Sequence, residues 1–362
     1  MKKILIFTLI LVFVVSLFGM AYAKDKPLRV ILLINGTLGD KSFFDSAARG
    51  VKRAEKELGI EAKIVELGYD PSTFKPGLED AADSDYDVVI CGTWQMQEAL
   101  QEIAPEYPDK KFIIFDTSVN YKEGDLGNVY SILYKQNEGS FLAGALAAMV
   151  TTSKELPDTN DSKLIGFLGG MDIPVINDFL VGYIEGARYI DKDIKVLVSY
   201  AGSFTDPAKG KELVLAQYRQ GADISFNVAG ETGLGLLDAA KEAKKYAIGV
   251  DSDQAMLFAK SDPEKAKRTL TSMLKRVDNS LYRALYLHLQ GKLPYGKAEA
   301  LGLAQQAVGL AKNDIYRKYV PKPIQAKLAV LEEKIISGKI KVDSAFGMSQ
   351  KELTKLRNSV KP

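Results

Sequence analysis

Leu28-Arg-Val-Ile-Leu-Leu-Ile-Asn35 is an apolar run of strand length, and Gly39-Asp-Lys-Ser-Phe-Phe-Asp45 follows it closely. A buried strand, a turn that contains glycine and a helix that begins near Ser42 form the opening unit of an α/β sheet. Ligands of such sheets bind at the carboxyl ends of the strands. This turn carries two adjacent rings, Phe43 and Phe44, where an enzyme would more often carry an acid, a base or a nucleophile. The stretch therefore favours a flat ligand.

Apolar runs alternate with amphipathic helical segments along almost the whole chain. The predicted strands are 28–35, 61–66, 87–92, 111–116, 128–134, 163–168, 194–200, 223–228, 246–250, 269–273 and 303–309. The predicted helices include 43–58, 94–104, 137–152, 174–190, 206–219, 233–245, 277–290 and 322–337. Because the strands are rich in Val and Ile, this alternation predicts an α/β fold with parallel sheets covered by helices on both faces.

The chain is longer than a single hydrophobic core usually supports, so two Rossmann-like lobes are predicted. We expect an N-terminal lobe of residues 27–134 plus 253–309 and a C-terminal lobe of residues 136–250 plus 312–345. The chain would then cross between the lobes near 134–136, 250–253 and 309–312, and these crossings would form a hinge beside a cleft. Residues 346–362 are a C-terminal tail. Within 338–362 we expect a short strand and a surface helix packed on the second lobe.

Residues 1–23 have the features of a signal peptide. Lys2 and Lys3 precede an apolar segment of residues 4–18, and Ala21-Tyr-Ala23 is a small-x-small cleavage site. Cleavage predicts a soluble periplasmic or extracellular protein, and no cysteine stands at the cleavage point to carry a lipid anchor. The 48 basic residues then lose two lysines and equal the 46 acidic residues. Nothing in this balance predicts a basic surface for nucleic acid.

Composition argues against most enzyme classes. The sequence holds one histidine, His288, and one cysteine, Cys91, so it cannot assemble a Cys/His metal site or a nucleophile–histidine pair. We expect no catalytic residue, no metal and no cofactor. A carboxylate-only hydrolase that acts through Asp116 or Asp251 remains an alternative.

The ends of the predicted strands carry an amide, carboxylates, a lysine and aromatic rings. The candidate ligand-binding residues are Asn35, Asp40, Phe43, Trp94, Asp116, Phe204, Gly230, Asp251 and Lys275. Rings can stack on a flat heterocycle, each stacked base contributing about 1–3 kcal/mol. Carboxylates and the lysine can hydrogen-bond sugar hydroxyls, and an amide or a carboxylate can bind the edge of a base. The set suits a neutral, planar ligand that carries hydroxyl groups.

The chain resembles the basic membrane protein family of solute-binding lipoproteins, whose best-known member is a purine nucleoside receptor. The matching motifs, in order, are Asp40-Lys-Ser-Phe43, Glu138-Gly-Ser-Phe-Leu-Ala-Gly144, Ile165-Gly-Phe-Leu-Gly-Gly170, Asp178-Phe-Leu-Val-Gly-Tyr183, Gly202-Ser-Phe-Thr-Asp206, Gly221-Ala-Asp223, Ala229-Gly-Glu-Thr-Gly-Leu-Gly235, Ile248-Gly-Val-Asp251 and Thr271-Ser-Met-Leu-Lys275. The resemblance implies a type I periplasmic binding protein that delivers its ligand to an ABC permease in the inner membrane.

The resemblance also implies roles for particular residues. Phe43 and Phe204 match the two rings that sandwich the purine, and Asp116 matches the aspartate that binds the base. The residues that match the ribose-binding set of the family are Gly230, Asp251 and Lys275. We therefore expect a monomeric receptor for a nucleoside, most simply a purine nucleoside.

Three departures from the family pattern concern the base and the anchor. Asn35 stands where the family usually has an aspartate, and the turn after it is one residue shorter. The family's Phe-Asn pair is Phe43-Phe44 here, and the lipid-attachment cysteine is absent. Trp94 adds a third possible wall. These differences leave adenosine, inosine, riboflavin, another flat heterocycle or a sugar open as ligands. A repressor of similar fold is disfavoured because the sequence shows a signal peptide and no helix-turn-helix.

Overall fold

The computed structural model describes residues 26–362, so the predicted signal peptide 1–23 lies outside the described residues. The first of two six-stranded sheets is fully parallel. Its order is β11 (Lys297–Leu301), β5 (Val129–Tyr134), β4 (Lys111–Phe115), β3 (Val88–Gly92), β1 (Arg29–Ile34) and β2 (Glu61–Glu66). Strands β1, β3 and β4 are buried almost throughout, as expected for strands covered on both faces.

The second sheet has the same strand arrangement with one antiparallel edge. Its order is β12 (Val308–Leu310), β10 (Thr269–Lys275), β9 (Tyr246–Asp251), β8 (Ala222–Val228), β6 (Leu164–Gly169) and β7 (Lys195–Tyr200). Only the β10–β12 pair of this sheet is antiparallel. Each sheet and its helices form one lobe, and the α/β class with parallel-dominated sheets is confirmed.

Helices connect the strands. In chain order they are α1 (Phe43–Leu58), α2 (Phe74–Asp83), α3 (Gln97–Ile103), α4 (Gln136–Thr151), α5 (Pro174–Ile190), α6 (Pro207–Arg219), α7 (Leu234–Glu242), α8 (Gln254–Phe258), α9 (Pro263–Arg268), α10 (Val277–Leu289), α11 (Asp314–Tyr319), α12 (Lys322–Ile336) and α13 (Gln350–Ser359). No helix among residues 26–362 combines the length and the apolar character needed to span a membrane.

The lobe boundaries differ from the predicted ones at β10. Residues 253–309 were expected in the first lobe, but β10 pairs with β9 and β12 and therefore belongs to the second sheet. The polar turn after Asp251 does not lead across to the other lobe. It leads into α8 and α9, which return the chain to the same sheet. Helix α10 then packs on α1 in the first lobe.

The chain crosses between the lobes at three places. These are Lys135 after β5, Arg276 after β10, and the segment 302–307 between β11 and β12. The crossings are hydrogen-bonded to one another: the Lys135 N–H donates to Leu301 O at 2.9 Å, and the Arg276 N–H donates to Ala307 O at 2.8 Å. The predicted crossing near 250–253 is therefore wrong, and the one expected near 309–312 lies several residues earlier.

Two strand predictions fail in the last third of the chain. The predicted strand 303–309 is a short 3₁₀ turn at Leu303–Gln305 followed by β12. Strand β11 was not predicted, because Lys297-Ala-Glu-Ala-Leu301 is a largely exposed edge strand with no apolar run. Residues 338–362, all of which are described, contain helix α13 but no strand.

Helices α4 and α5 pack unusually closely in the second lobe. Helix α4 is buried on nearly all sides, so it is a central core helix and not an amphipathic surface helix. A Cβ atom at Gly144 would overlap with the carbonyl oxygen of Tyr183, and one at Gly186 would overlap with that of Phe141. Glycine is therefore required on both helices for their backbones to approach each other.

We predict that Gly144→Ala lowers the free energy of unfolding by about 2–4 kcal/mol, because the added methyl group must push α4 and α5 apart. Thermal or denaturant unfolding followed by circular dichroism measures the loss. Gly127→Ala is the control, because its Cβ would lie 3.4 Å from the nearest atom, the Asp125 carboxylate. Equal stability of Gly144→Ala and the unmodified protein would contradict the close packing.

Candidate functional site

A cavity of about 400 Å³ lies between the two lobes, at the carboxyl ends of the strands. All nine candidate residues from the sequence line it. The first lobe contributes Asn35, Asp40, Phe43, Trp94 and Asp116, and the second lobe contributes Phe204, Gly230, Asp251 and Lys275. The structure therefore brings the whole predicted set together. Whether each residue contacts a ligand stays a prediction.

Lys275 is the charged centre of the cavity. Its side chain is only 2% exposed, and its ammonium forms an ion pair with Asp116 of the opposite lobe. The rings of Phe43, Tyr134 and Phe179 lie 5.2–5.4 Å from the ammonium. Burial raises the pKa of Asp116, and the adjacent ammonium opposes that rise. A buried charge needs such a partner, because unpaired burial costs several kcal/mol.

Asp251 also joins the two lobes. Its carboxylate accepts a hydrogen bond of 2.5 Å from Ser42 Oγ in the first lobe. Next to it, Arg49 Nη2 donates to Ser252 Oγ at 2.8 Å, and Ser252 Oγ donates to Ser42 O at 2.9 Å. Burial raises the pKa of Asp251 to about 7, although the ammonium of Lys275 lowers it in part. This carboxyl group can therefore hold its proton in nearly neutral solution.

Three cavity residues other than glycine have positive φ angles. The φ angles are 68° at Thr93, 67° at Asp116 and 60° at Asp251. Aspartate adopts this conformation more readily than most residues, but a β-branched threonine rarely does. Such strain often occurs at ligand sites, where it directs a side chain that ordinary strand geometry would point elsewhere.

Aromatic rings cover both sides of the cavity. The Phe43 ring packs 5.3 Å from Phe44 and 5.5 Å from Phe115. In the second lobe, the Phe204 ring lies against Gly170, where a Cβ atom would overlap with it. Gly230, at φ 56°, allows the backbone to turn beside Phe204. Trp94 is 52% exposed, so its ring is available to a ligand at the edge of the cavity.

Asp40 lines the cavity, but its carboxylate is occupied by the start of α1. It accepts backbone N–H bonds from Ser42 at 2.9 Å, Phe44 at 2.8 Å and Asp45 at 3.1 Å. Burial raises the pKa of Asp40, and these three donors oppose the rise. The Asp40 side chain therefore satisfies backbone N–H groups in the first turn of α1, the helix that presents Phe43.

The amide of Asn35 is held by two polar neighbours. Its Nδ2 donates to Thr93 Oγ1 at 2.7 Å and to Gln95 Oε1 at 3.2 Å. Its Oδ1 is buried and has no hydrogen-bond partner among the described residues. Asn35 is therefore positioned by the loop that also carries Trp94.

Four residues around the site were missed by the sequence analysis. Ser42 bonds Asp251, Tyr69 lines the cavity, and Tyr134 and Phe179 face Lys275. The sequence did indicate Tyr69, since this aromatic residue follows the end of a predicted strand, β2. Phe179 and Tyr134 had no such signal, because a ring within a buried helix or strand has the pattern of an ordinary core residue.

Comparison with known proteins gives a consistent result. Residues 28–345 match the family described as ABC transporter substrate-binding protein PnrA-like. Basic membrane protein A of Borreliella burgdorferi is 31% identical over 349 residues, which cover 95% of this chain and 96% of that protein. An uncharacterized lipoprotein of Pyrococcus abyssi is 33% identical over 299 residues, covering 79% of this chain and 69% of that protein.

A solved structure supports the same relationship. An ABC transporter solute-binding protein from Aeropyrum pernix K1 superposes with a TM-score of 0.78 at 28% identity, covering 92% of this chain and all of that chain. These matches confirm the resemblance to the basic membrane protein family. They also confirm the fold as that of type I solute-binding proteins.

We predict a pH-dependent stability difference for Asp251→Asn. The carboxyl group has a pKa near 7 in the folded protein and about 3.9 when unfolded, so the folded state retains a proton that the unfolded state releases. The contribution of Asp251 to stability therefore falls as pH rises from 4 to 7, and asparagine has no such pH dependence. The variant should gain about 1–3 kcal/mol relative to the unmodified protein between pH 4 and pH 8.

Asp262→Asn is the matched control, measured in the same series of thermal unfolding experiments. The hydrogen bond from Lys241 holds the pKa of Asp262 below its ordinary value. The pH dependence therefore has the opposite sign: Asp262→Asn should lose stability relative to the unmodified protein as pH rises. A pH-independent difference between Asp251→Asn and the unmodified protein would contradict the raised pKa of Asp251.

Proposed function

The chain belongs to the PnrA-like family of ABC transporter substrate-binding proteins, and from this premise we propose that it binds a nucleoside, most simply a purine nucleoside, in the cleft between its lobes. The family and the related structures consist of solute-binding proteins and not of enzymes. Substrate-binding proteins of ABC transporters bind a small molecule and deliver it to a permease. The nucleoside as ligand and closure about the hinge are our proposals.

The observation that carries this proposal is the pairing of aromatic walls with a buried cation in one cavity. Phe43 and Phe204 come from opposite lobes, so a flat base between them would be stacked on both faces when the lobes close. Stacking contributes about 1–3 kcal/mol per base. The cavity volume of about 400 Å³ lies within the usual range for small-molecule sites.

The ribose end of the ligand would meet Asp251 and Lys275. Both are bonded to the opposite lobe in this structure, Asp251 to Ser42 and Lys275 to Asp116. Sugar hydroxyls can both donate and accept hydrogen bonds, so they can bind the carboxylate and the ammonium together. Hydrogen bonds that involve a charged group contribute about 1.5–3 kcal/mol each.

The base edge would meet Asn35 and Asp116. The amide hydrogens of Asn35 are already donated to Thr93 and Gln95, so its free acceptor is Oδ1. In this proposal, Oδ1 accepts a ring N–H of the base. This arrangement supports a base with a single edge donor, such as hypoxanthine.

A second candidate ligand is a larger flat heterocycle such as riboflavin. Phe44, Tyr69 and Trp94 extend the aromatic surface beyond Phe43, which is more surface than one purine requires. Another flat heterocycle or a sugar would use the same cavity. The nucleoside-hydrolase alternative differs from these, because it predicts that the protein releases free base from inosine.

We propose that the mature protein is a soluble monomer outside the inner membrane and interacts with an ABC permease. Cys91, the only cysteine in the sequence, is fully buried in β3 and cannot be an acylation site in the folded protein. The Pyrococcus abyssi relative is named a lipoprotein, so the state of this chain requires a direct test. The intact mass of the secreted protein would reveal a lipid, and light scattering would give its oligomeric state.

We predict that isothermal titration detects binding of at least one purine nucleoside in a panel of adenosine, inosine, guanosine, their free bases, ribose and riboflavin. Fluorescence of Trp94, the only tryptophan in the sequence, gives an independent signal from the cavity itself. Lys275→Ala should weaken nucleoside binding by about 10- to 100-fold, since a charge-assisted hydrogen bond is lost. It should change affinity for the free base much less.

Lys260→Ala is the control, because this exposed lysine lies outside the cavity. Unfolding curves of each variant separate lost binding from lost structure. The absence of binding by every nucleoside and nucleobase would overturn the proposed function. Release of hypoxanthine from inosine would favour the hydrolase, and a bound flavin in the visible spectrum would favour riboflavin.

A further inference from the structure

The C-terminal helix α13 contacts the second lobe at several points, and one of its residues, an arginine, reaches three polar side chains. Arg357 donates to both carboxylate oxygens of Asp172, at 2.8 and 2.6 Å. Its Nη2 also donates to Asn177 Oδ1 at 2.6 Å and to the Tyr200 hydroxyl at 2.8 Å, and its guanidinium lies 5.0 Å from the Tyr200 ring. The side chain of Arg357 is only 16% exposed.

The partners of Arg357 belong to two segments that line the cavity. Asp172 and Asn177 lie in the segment 170–177, whose residues Met171, Ile173, Val175 and Ile176 line the cavity. Tyr200 ends β7 and begins the segment 200–205, of which residues 202–205 line the cavity. Arg357 itself does not line the cavity. Arg357 therefore contacts these two segments on the side that faces away from the cavity.

The two segments are also bonded to each other beside Phe204. The N–H groups of Gly202 and Ser203 donate to Gly170 O at 2.8 and 3.1 Å. The Phe204 ring lies on Gly170, so the position of this ring depends on the spacing of the two segments. Tyr200 and Asn177 complete the connection, since the Tyr200 hydroxyl donates to Asn177 Oδ1 at 2.7 Å.

We propose that Arg357 is a positioning residue for ligand binding, which holds the segments 170–177 and 200–205 together so that Phe204 is fixed for stacking. The inference rests on the proposed function, because it concerns the Phe204 side of the same cavity. It gives the C-terminal helix a role in ligand affinity, although that helix contributes no atom to the cavity.

The chemistry of arginine suits this role. Its Nη1 and Nη2 atoms each bind one oxygen of Asp172, and the N–H group left on Nη2 is shared between Asn177 Oδ1 and the Tyr200 hydroxyl. Lysine cannot reproduce this planar, two-atom geometry. The bond from Arg357 holds the pKa of Asp172 below its ordinary range, so the pair stays ionised at neutral pH. The connection is exposed on one side only, at Asp172, whose side chain is 44% exposed.

The test compares Arg357→Gln, Arg357→Lys and Arg188→Gln by titration with adenosine and inosine. Arg357→Gln should weaken binding by about 5- to 20-fold, and Arg357→Lys should restore only part of the loss. Arg188 is the matched control, because it also contacts α13, at Ser359 Oγ, but touches neither segment. Its variant should bind within about twofold of the unmodified protein.

A double-mutant cycle distinguishes positioning from general stability. If Arg357 acts through Phe204, Arg357→Gln should cost less than about twofold in affinity when Phe204 is already alanine. Its effect on thermal stability should be the same in both backgrounds. An undiminished affinity loss in the Phe204→Ala background would overturn the proposal while leaving the proposed function intact.

Hydrogen exchange of the ligand-free protein provides a test that needs no nucleoside. The Gly202 and Ser203 amides should exchange faster in Arg357→Gln than in Arg188→Gln, because their bonds to Gly170 depend on the spacing of the two segments. Unchanged exchange at both amides would overturn the proposal. If no nucleoside binds, the proposed function fails and this measurement alone decides the role of Arg357.

Discussion

The structure depends on burying one positive charge between two lobes. Lys275 ends β10, the second strand from the edge of the second sheet, and its ammonium is paired with Asp116, which follows β4 in the first sheet. A buried ammonium without a partner costs several kcal/mol, so the lobes are favoured in an arrangement that keeps these groups together. The rings of Phe43, Tyr134 and Phe179 surround the ammonium and exclude water from it. The Lys275–Asp116 ion pair therefore links the two lobes directly across the cavity.

Polar groups around the cavity form hydrogen bonds with one another. Ser42 donates to Asp251, Asp40 caps α1, and the amide of Asn35 donates to Thr93 and Gln95. A ligand that enters must exchange with these contacts. It is favoured only if it offers hydrogen bonds of comparable quality in the same positions. Selectivity thus arises from matching an existing hydrogen-bond network as well as from the shape of the cavity.

Sequence patterns predicted which residues form the site better than they predicted the contacts between those residues. Parallel strands end on one edge, so Asp116, Asp251 and Lys275 could be placed at the cleft from strand order alone. The partner of each could not, because the Lys275–Asp116 and Ser42–Asp251 contacts depend on how two lobes approach. The exposed strand β11 left no apolar signal. The second crossing was misplaced because the short helices α8 and α9 carry little periodicity, so the turn after β9 looked like a change of lobe.

The three crossings between the lobes have a mechanical consequence. They lie side by side and are bonded to one another, Lys135 to Leu301 and Arg276 to Ala307. Glu138 at the start of α4 adds a further link by accepting the Leu303 N–H at 2.9 Å. One crossing would allow the lobes to rotate freely relative to each other, and two crossings would still allow them to twist. Three crossings bonded to one another oppose both motions. These contacts favour rotation about one axis through the crossings as the relative motion of the lobes. In the closure that we propose, the two walls of the cavity would then meet in the same register.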